Sequence, residues 1–223
     1  MKLSNLKLAI GIPCSFPMVY TAFFDSFIQM EKPDFMYVPA KNGPISEMRD
    51  YIVKRSLAMN CSHVLMMDTD QIYEKETIPK LLRHNVPVVH ARVYRRYPPF
   101  DSLLYNIGPE GYYQEKVDYE EGDLVSVDAC GTGCVLYNTD IFRTIPEPWF
   151  EMVYIQENGQ VGKTGEDFNF CEKLKKAGYD IKVDTGIKVG HLGLIEVNQD
   201  FSVLYQSLKK RQVEVDLKDS EIK

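Results

Sequence analysis

The stretch His63-Val64-Leu65-Met66-Met67-Asp68-Thr69-Asp70 decides how the rest of the chain is read. Its first five residues form a short apolar run, the length of a buried strand. The next three present two carboxylates two residues apart, which an extended chain turns to the same side. Open α/β sheets bind ligands in the crevice outside the carboxyl ends of their strands. A carboxylate pair there can hold a hard divalent cation through oxygen. A departing pyrophosphate needs such an ion, because negative charge builds on the leaving oxygen. Asp-x-Asp also caps turns without any ligand; the charge-free strand ahead of it brings the two readings level.

Outward from this point, short apolar runs alternate with helical patterns. Residues 8–13 and 35–39 read as strands and residues 20–29 as a helix. Pro44 stands where a helix starts, with Ile45, Met48, Ile52, Ser56 and Met59 following at helical spacing. Ile78, Leu81 and Leu82 mark another helix, and residues 87–91 another strand. This alternation predicts a mostly parallel central sheet flanked by helices. Residues 100–127 are rich in Tyr, Gly, Pro and acids and have no helical period, which predicts hairpins or loops over one end of the sheet. Residues 134–137 read as a strand after a Gly-Thr-Gly turn, and 141–145 as a short helix. A helix follows over 166–177, with Phe170, Leu174 and Ala177 on one face and Gly178 as its stop. Two strands, 181–184 and 187–191, precede a weakly amphipathic helix after Phe201 and a charged, fraying tail over 216–223.

With 223 residues the chain holds one full-sized domain, expected over 1–200, with the C-terminal helix and tail in 201–223. No apolar run approaches the roughly 20 residues needed to span a bilayer. The run over 8–13 has no small-residue cleavage site after it and is read as a strand rather than a signal segment. Five scattered cysteines, an odd number, point to a reducing, cytoplasmic compartment. A net charge of −6 argues against a nucleic-acid partner. The local cluster Arg92, Arg95 and Arg96 reads as a solvated strand end.

Two further constellations carry chemistry. Gly165-Glu166-Asp167 opens the late helix, where the dipole and free N–H groups favour an ionised carboxylate; one of these acids can serve as a general base toward an acceptor hydroxyl. Thr164 with Asp167 also resembles a capping box, the structural alternative. His191, between Gly190 and Leu192-Gly193, offers a neutral imidazole suited to Mn²⁺, although a lone histidine is by itself better read as a satisfied structural residue. Cys130 and Cys134 form no zinc pattern and read as small core residues. The intervening Gly131-Thr132-Gly133 either admits a sugar ring against backbone amides or is simply a tight turn.

Taken in order, these three signals resemble the GT-A glycosyltransferases, above all family 2 and the small viral or phage members, over residues 8–193. The resemblance implies a GT-A fold and a metal-dependent transfer of sugar from a nucleoside-diphosphate donor to an acceptor hydroxyl, with inversion. It makes Asp70, Asp68 and His191 the metal ligands, for Mn²⁺ or Mg²⁺. Asp167 becomes the catalytic base, with Glu166 its substitute. Pro13, Cys14, Ser15, Lys41, Arg49, Asp68 and Thr69 fall at the nucleotide, and Asp128, Gly131, Thr132 and Gly133 at the donor sugar and acceptor. A UDP-sugar is the favoured donor and a GDP-sugar the other; family members often carry an acid after the second strand, where this chain has Pro39-Ala40-Lys41-Asn42. If the chain is viral, the compartment is the host cytoplasm. Two other readings stand beside this one: a haloacid-dehalogenase-type phosphohydrolase, whose nucleophile also lies in a strand-end Asp-x-Asp, and a non-catalytic nucleotide-sugar binding module.

Overall fold

The computed structural model describes residues 6–157 and 160–221. In chain order the elements are β1 (Leu8–Cys14), α1 (Thr21–Gln29), β2 (Phe35–Lys41), α2 (Ile45–Ala58), β3 (His63–Met67), β4 (Gln71–Tyr73) and α3 (Thr77–His84). The middle holds β5 (Val88–Val93), β6 (Leu104–Ile107), β7 (Tyr113–Glu115), β8 (Leu124–Val127), β9 (Ala129–Cys130), β10 (Cys134–Asn138) and α4 (Ile141–Thr144). Then follow β11 (Val153–Glu157), β12 (Gln160–Thr164), α5 (Glu166–Lys176), β13 (Ile181–His191) and α6 (Gln199–Glu221).

Eight strands make the main sheet, in the order β2-β1-β3-β10-β5-β13-β4, with β8 also paired to β13. β1 runs parallel to both β2 and β3, and β5 runs parallel to β13. β10 enters between β3 and β5 antiparallel to both. β4 and β8 also run antiparallel to β13, so β1, β2, β3, β5 and β13 share one direction and the sheet is mostly parallel in that sense, as the alternation of runs implied. β3 is buried at all five positions, and its side chains divide by parity between two cores. Val64 and Met66 face the core that includes Ile52, Phe142, Phe150 and Phe170. Leu65 and Met67 face the core of Phe23, Ile78, Leu81 and Ile187. A strand covered on both faces must be apolar throughout, and that is why His63–Met67 shows no polar alternation.

Helix α2 lies unusually close to β1. A Cβ built on Gly11 would collide with Ile52, so only glycine lets this helix seat at that depth. The seat matters because α2 also carries Arg49 into the interior, 4% exposed.

Several differences from the sequence reading have local causes. β4 was not foreseen: three residues are too few to show a period, and the strand exists through its antiparallel pairing with β13. The two strands expected over 181–191 are one strand, β13, with a register shift between Asp184 and Lys188. At that irregularity the Thr185 hydroxyl turns to the carbonyls of Glu120 and Asp123, and the partner strand changes from β8 to β4. Phe170 and Leu174 of α5 are buried, but Ala177 is exposed, because the helix ends there and the chain turns at Gly178 with φ 83°. Residues 100–127 do form hairpins: β6 pairs with β7 and β9 in a small sheet, while β8 joins the main one. The β11–β12 hairpin was not anticipated.

The chain divides into two compact units, Met1–Leu192 and Gly193–Lys223, where the sequence reading put its boundary at residue 200. In the second unit α6 extends to Glu221, so the segment read as fraying from 216 is helical there; residues 222–223 lie outside the described residues. Among the described residues no helix is long and apolar enough to cross a membrane, and the five cysteines are free.

Candidate active site

The carboxyl ends of β1, β3 and β5 and the start of α5 converge on one rim of the sheet. β3 delivers Asp68 at its end, and the Asp68 amide donates to the Gly133 carbonyl at 2.9 Å. The Tyr73 hydroxyl lies 2.8 Å from the Asp68 carbonyl and 3.0 Å from that of Gly133. This backbone clasp fixes where the two aspartates leave the strand.

His191 reaches the same place through the pairing of β13 with β4. In that register His191 lies opposite Gln71, the residue after Asp70, and the Leu192 amide donates to the Asp70 carbonyl at 2.8 Å. The imidazole Nε2 stands 3.4 Å from Asp70 Oδ2. Its Nδ1 is 2.7 Å from the Tyr94 carbonyl, an acceptor only, so Nδ1 carries the proton and Nε2 faces the carboxylate. Burial works to lower the His191 pKa, but the bonds to Asp70 and Tyr94 outweigh it and hold it above the ordinary histidine value. Burial likewise pushes Asp70 up, and His191 with the Arg96 charge brings it below the usual carboxylate value.

Arg96 pairs with Asp70 Oδ2. Two members of the basic cluster read from sequence as a solvated strand end, Arg95 and Arg96, are therefore part of the site; Arg92 lines neither of its cavities. The loop of Arg95 and Arg96 is held shut at the base, where Arg95 Nε meets Asp101 Oδ1 at 2.6 Å and the Arg95 amide donates to the Asp101 carbonyl at 2.9 Å.

Arg49 stands behind the aspartates. Its Nη1 lies 2.5 Å from Glu166 Oε1 and its Nη2 is 3.3 Å from Asp68. It lines none of the cavities described below, so the residue expected at the nucleotide is a buried strut joining β3 to α5. Glu166 is consumed in that strut, 7% exposed. Asp167 instead lines a cavity of about 700 Å³, with Thr164 and Gly165 beside it. The capping box does not form: Gly165 is the N-cap and makes no side-chain cap bond. A Cβ at Gly165 would stand 2.7 Å from Asp167 Oδ1, so the glycine leaves room for that carboxylate. Burial raises the Asp167 pKa; Arg49 opposes the rise and Glu166 adds to it.

Two cavities meet at the aspartates. The larger, about 700 Å³, holds Asp68, Asp70, Asp167, His191, Arg95 and Arg96 together with an aromatic wall. The smaller, about 220 Å³, is lined by Pro13, Ser15, Thr69 and again by Asp68, Asp70 and Arg96. Lys41 lies on a separate cavity with Asn42 and Glu47 at the end of β2. Cys14, in register with Lys41, lines none of these; its thiol points back toward the Ile12 carbonyl.

The expected donor-sugar and acceptor group does not reach the lining. Asp128 is occupied by Lys175 at 2.9 Å and the Ile107 amide at 2.8 Å. The Gly131 carbonyl faces His90, and Thr132 is buried at 2% exposure. Gly133 gives its carbonyl to Asp68. These residues support the site from behind. Sequence reasoning in turn missed Arg96 and the wall residues Tyr97, Tyr105, Tyr113 and Phe168. The position of Arg96 just past β5, on the same rim as Asp68, was the available signal.

A divalent cation suits the donor types present: carboxylate oxygen from Asp70 and the His191 Nε2, in a ring oriented by Tyr94, which would give up its proton to bind the cation. Asp68 is turned to Arg49 rather than to His191. Among the described residues no group of three or more His, Cys, Asp or Glu side chains stands at metal-holding distance.

No protein-family profile matches the chain, and no curated protein matches it by sequence. Solved structures do. A197 from STIV superposes with a TM-score of 0.58 and 14% identity, covering 86% of this chain and 87% of that one. GalNAc-T7, solved with UDP, GalNAc and Mn²⁺, gives 0.58 and 10%, covering 86% of this chain but 45% of that one. TarS 1–349 of S. aureus, in complex with UDP-GlcNAc, gives 0.54 and 13%, with 86% and 60% covered. The chain thus spans about half the length of these last two. Likeness at such identities establishes the fold, which is that of the GT-A glycosyltransferases.

Proposed function

We propose that the chain is a metal-dependent glycosyltransferase that moves a sugar from a nucleoside-diphosphate donor to an acceptor hydroxyl with inversion. The observation that carries this reading is the convergence of Asp70, His191 and Asp167 on one cavity from three distant parts of the chain. The fold adds weight, as do neighbours solved with UDP, Mn²⁺ and a UDP-sugar.

In this mechanism Asp70 and His191 would hold Mn²⁺ or Mg²⁺, with Asp68 as a further oxygen donor. When bound, the cation offsets charge on the departing diphosphate. Pro13, Ser15 and Thr69 receive the nucleotide in the smaller cavity, with UDP the favoured base carrier. Arg49 holds Glu166 and Asp68 apart at a fixed spacing and so sets the rim. Asp167, its proton affinity raised by burial, accepts the acceptor's hydroxyl proton as that oxygen attacks the sugar carbon.

The test is release of UDP from UDP-GlcNAc, UDP-GalNAc and UDP-glucose, with and without Mn²⁺. Cation-dependent release supports the transferase. Turnover of p-nitrophenyl phosphate in place of sugar nucleotides would revive the phosphohydrolase, and tight UDP-sugar binding without any turnover would make the chain a binding module.

A further inference from the structure

The acceptor side of the larger cavity has a chemistry of its own. In a displacement the incoming oxygen approaches opposite the leaving group. With the diphosphate at the smaller cavity, the acceptor enters past Asp167, where the wall is aromatic. Phe168 follows Asp167 directly on α5. Its ring centre lies 4.9 Å from Tyr113 in an edge-on arrangement and 5.3 Å from Tyr105. Such ring contacts hold each other in place. Tyr105 is pinned further by its hydroxyl, 3.0 Å from Asp101 and 2.9 Å from Arg95. Tyr97, 57% exposed, stands at the same cavity under the Arg95 guanidinium.

Three occupants can be weighed against this wall. A lipid chain wants a continuous aliphatic groove, and the wall supplies only Leu103 among its lining residues. An anionic acceptor wants an uncommitted cation, yet Arg95 is spent on Asp101 and Tyr105, and Arg96 is paired with Asp70. A sugar ring presents C–H groups on its faces and hydroxyls on its rim. It fits flat aromatic surfaces interrupted by carboxylates, which is the pattern found here.

We propose that the acceptor is a neutral carbohydrate, its ring laid on the wall formed by Tyr97, Tyr113 and Phe168 and one hydroxyl turned to Asp167. This rests on the transferase reading and names the substrate class of its acceptor side.

The test is saturation-transfer NMR on the whole chain with methyl glycosides of glucose, galactose, mannose and N-acetylglucosamine, and with cellobiose and lactose. A Ser/Thr-rich peptide and farnesol serve as alternatives. At least one neutral sugar should receive saturation on one ring face. Tyr113→Ala should weaken its binding roughly tenfold, the effect of one lost ring contact. Tyr97→Ala, at an exposed position where folding is not at stake, should weaken it by a smaller factor. UDP affinity, read separately by calorimetry, should be the same in both variants. Binding of the peptide or farnesol but of no sugar would overturn the proposal, as would sugar binding indifferent to both substitutions. Wild-type sugar binding without UDP binding would instead sink the donor reading and leave the acceptor wall standing.

Discussion

Arg49 and Glu166, separated by 117 residues of chain, meet at 2.5 Å through Nη1 and Oε1 in the protein interior. The same guanidinium reaches Asp68, so one side chain on α2 spaces the end of β3 against the start of α5. Removing it leaves the buried Glu166 without its partner, while Asp68 still faces the cavities. Arg49→Met should cost about 3–5 kcal/mol of stability, the range for breaking a buried ion pair on one side. Arg49→Lys should lose less, since the charge stays and only the fork is gone. Urea unfolding of both variants checks this; equal stability of Arg49→Met and wild type would show that the strut carries no weight.

Asp167→Asn should abolish transfer while leaving UDP-sugar affinity nearly intact. It has a second, less obvious consequence. Because the folded chain raises this carboxyl's pKa, the folded state binds the proton more readily than the unfolded one. Stability from this group is present at pH below the unfolded value and is lost as pH rises through the folded one. At pH 7 the ionised carboxylate therefore disfavours folding, and Asp167→Asn should melt higher than wild type, with the gap closing toward pH 4. A lower melting temperature at pH 7 would contradict the raised pKa.

The same shift predicts the acid limb of the pH–rate profile. If Asp167 is the base, kcat/KM should fall on acidification at a pH above the ordinary aspartate value. Arg49 lowers the Asp167 pKa, so Arg49→Met should move the limb still higher, provided the variant folds. A limb that does not move in the variant would assign the base elsewhere.

Asp70→Asn and His191→Ala should each weaken Mn²⁺ binding by about tenfold or more, the scale seen when a metal's surroundings are disturbed. Electron paramagnetic resonance of free Mn²⁺ in the presence of UDP reads this without any turnover. Unchanged affinity in both variants would remove the cation from the Asp70–His191 pair.

Gly165→Ala leaves the backbone unstrained at φ −63°, yet its new methyl would press on Asp167 Oδ1. Displacing a catalytic atom by about 1 Å can cost on the order of a hundredfold in rate. The expected result is a fall in kcat of that order with a normal unfolding midpoint. A fully active variant would mean that Asp167 has room to move.

What could be seen in the sequence follows from how local the causes are. Asp68 and Asp70 were visible because a charge-free strand ends at them, and Glu166 and Asp167 because a helix begins there. Whether His191 met them was open, since the meeting depends on β4, three residues long, pairing with the end of β13. Arg96 was misread because its direction is set by contacts at the base of its loop, Arg95 with Asp101 and Tyr94 opposite Ser102, which no spacing rule encodes. The Gly-Thr-Gly segment read equally as a sugar seat or a tight turn and only the resemblance gave it to the ligand; two of its carbonyls are spent on His90 and Asp68. Tyr105 and Tyr113 lie in a segment without period, so nothing marked them as neighbours of Phe168.

Strand β10 travels against its neighbours, and this restricts how the chain can be lengthened. Parallel strands send their outgoing loops to the rim, where extra residues can billow into solvent. β10 instead begins at that rim, and the turn feeding it already has its final carbonyl tied to the Asp68 amide. An insertion between Cys130 and Cys134 would pull that tether and shift the aspartates with it. Grafted peptides should be tolerated at the exposed turn of the β6–β7 hairpin and rejected at this buried one.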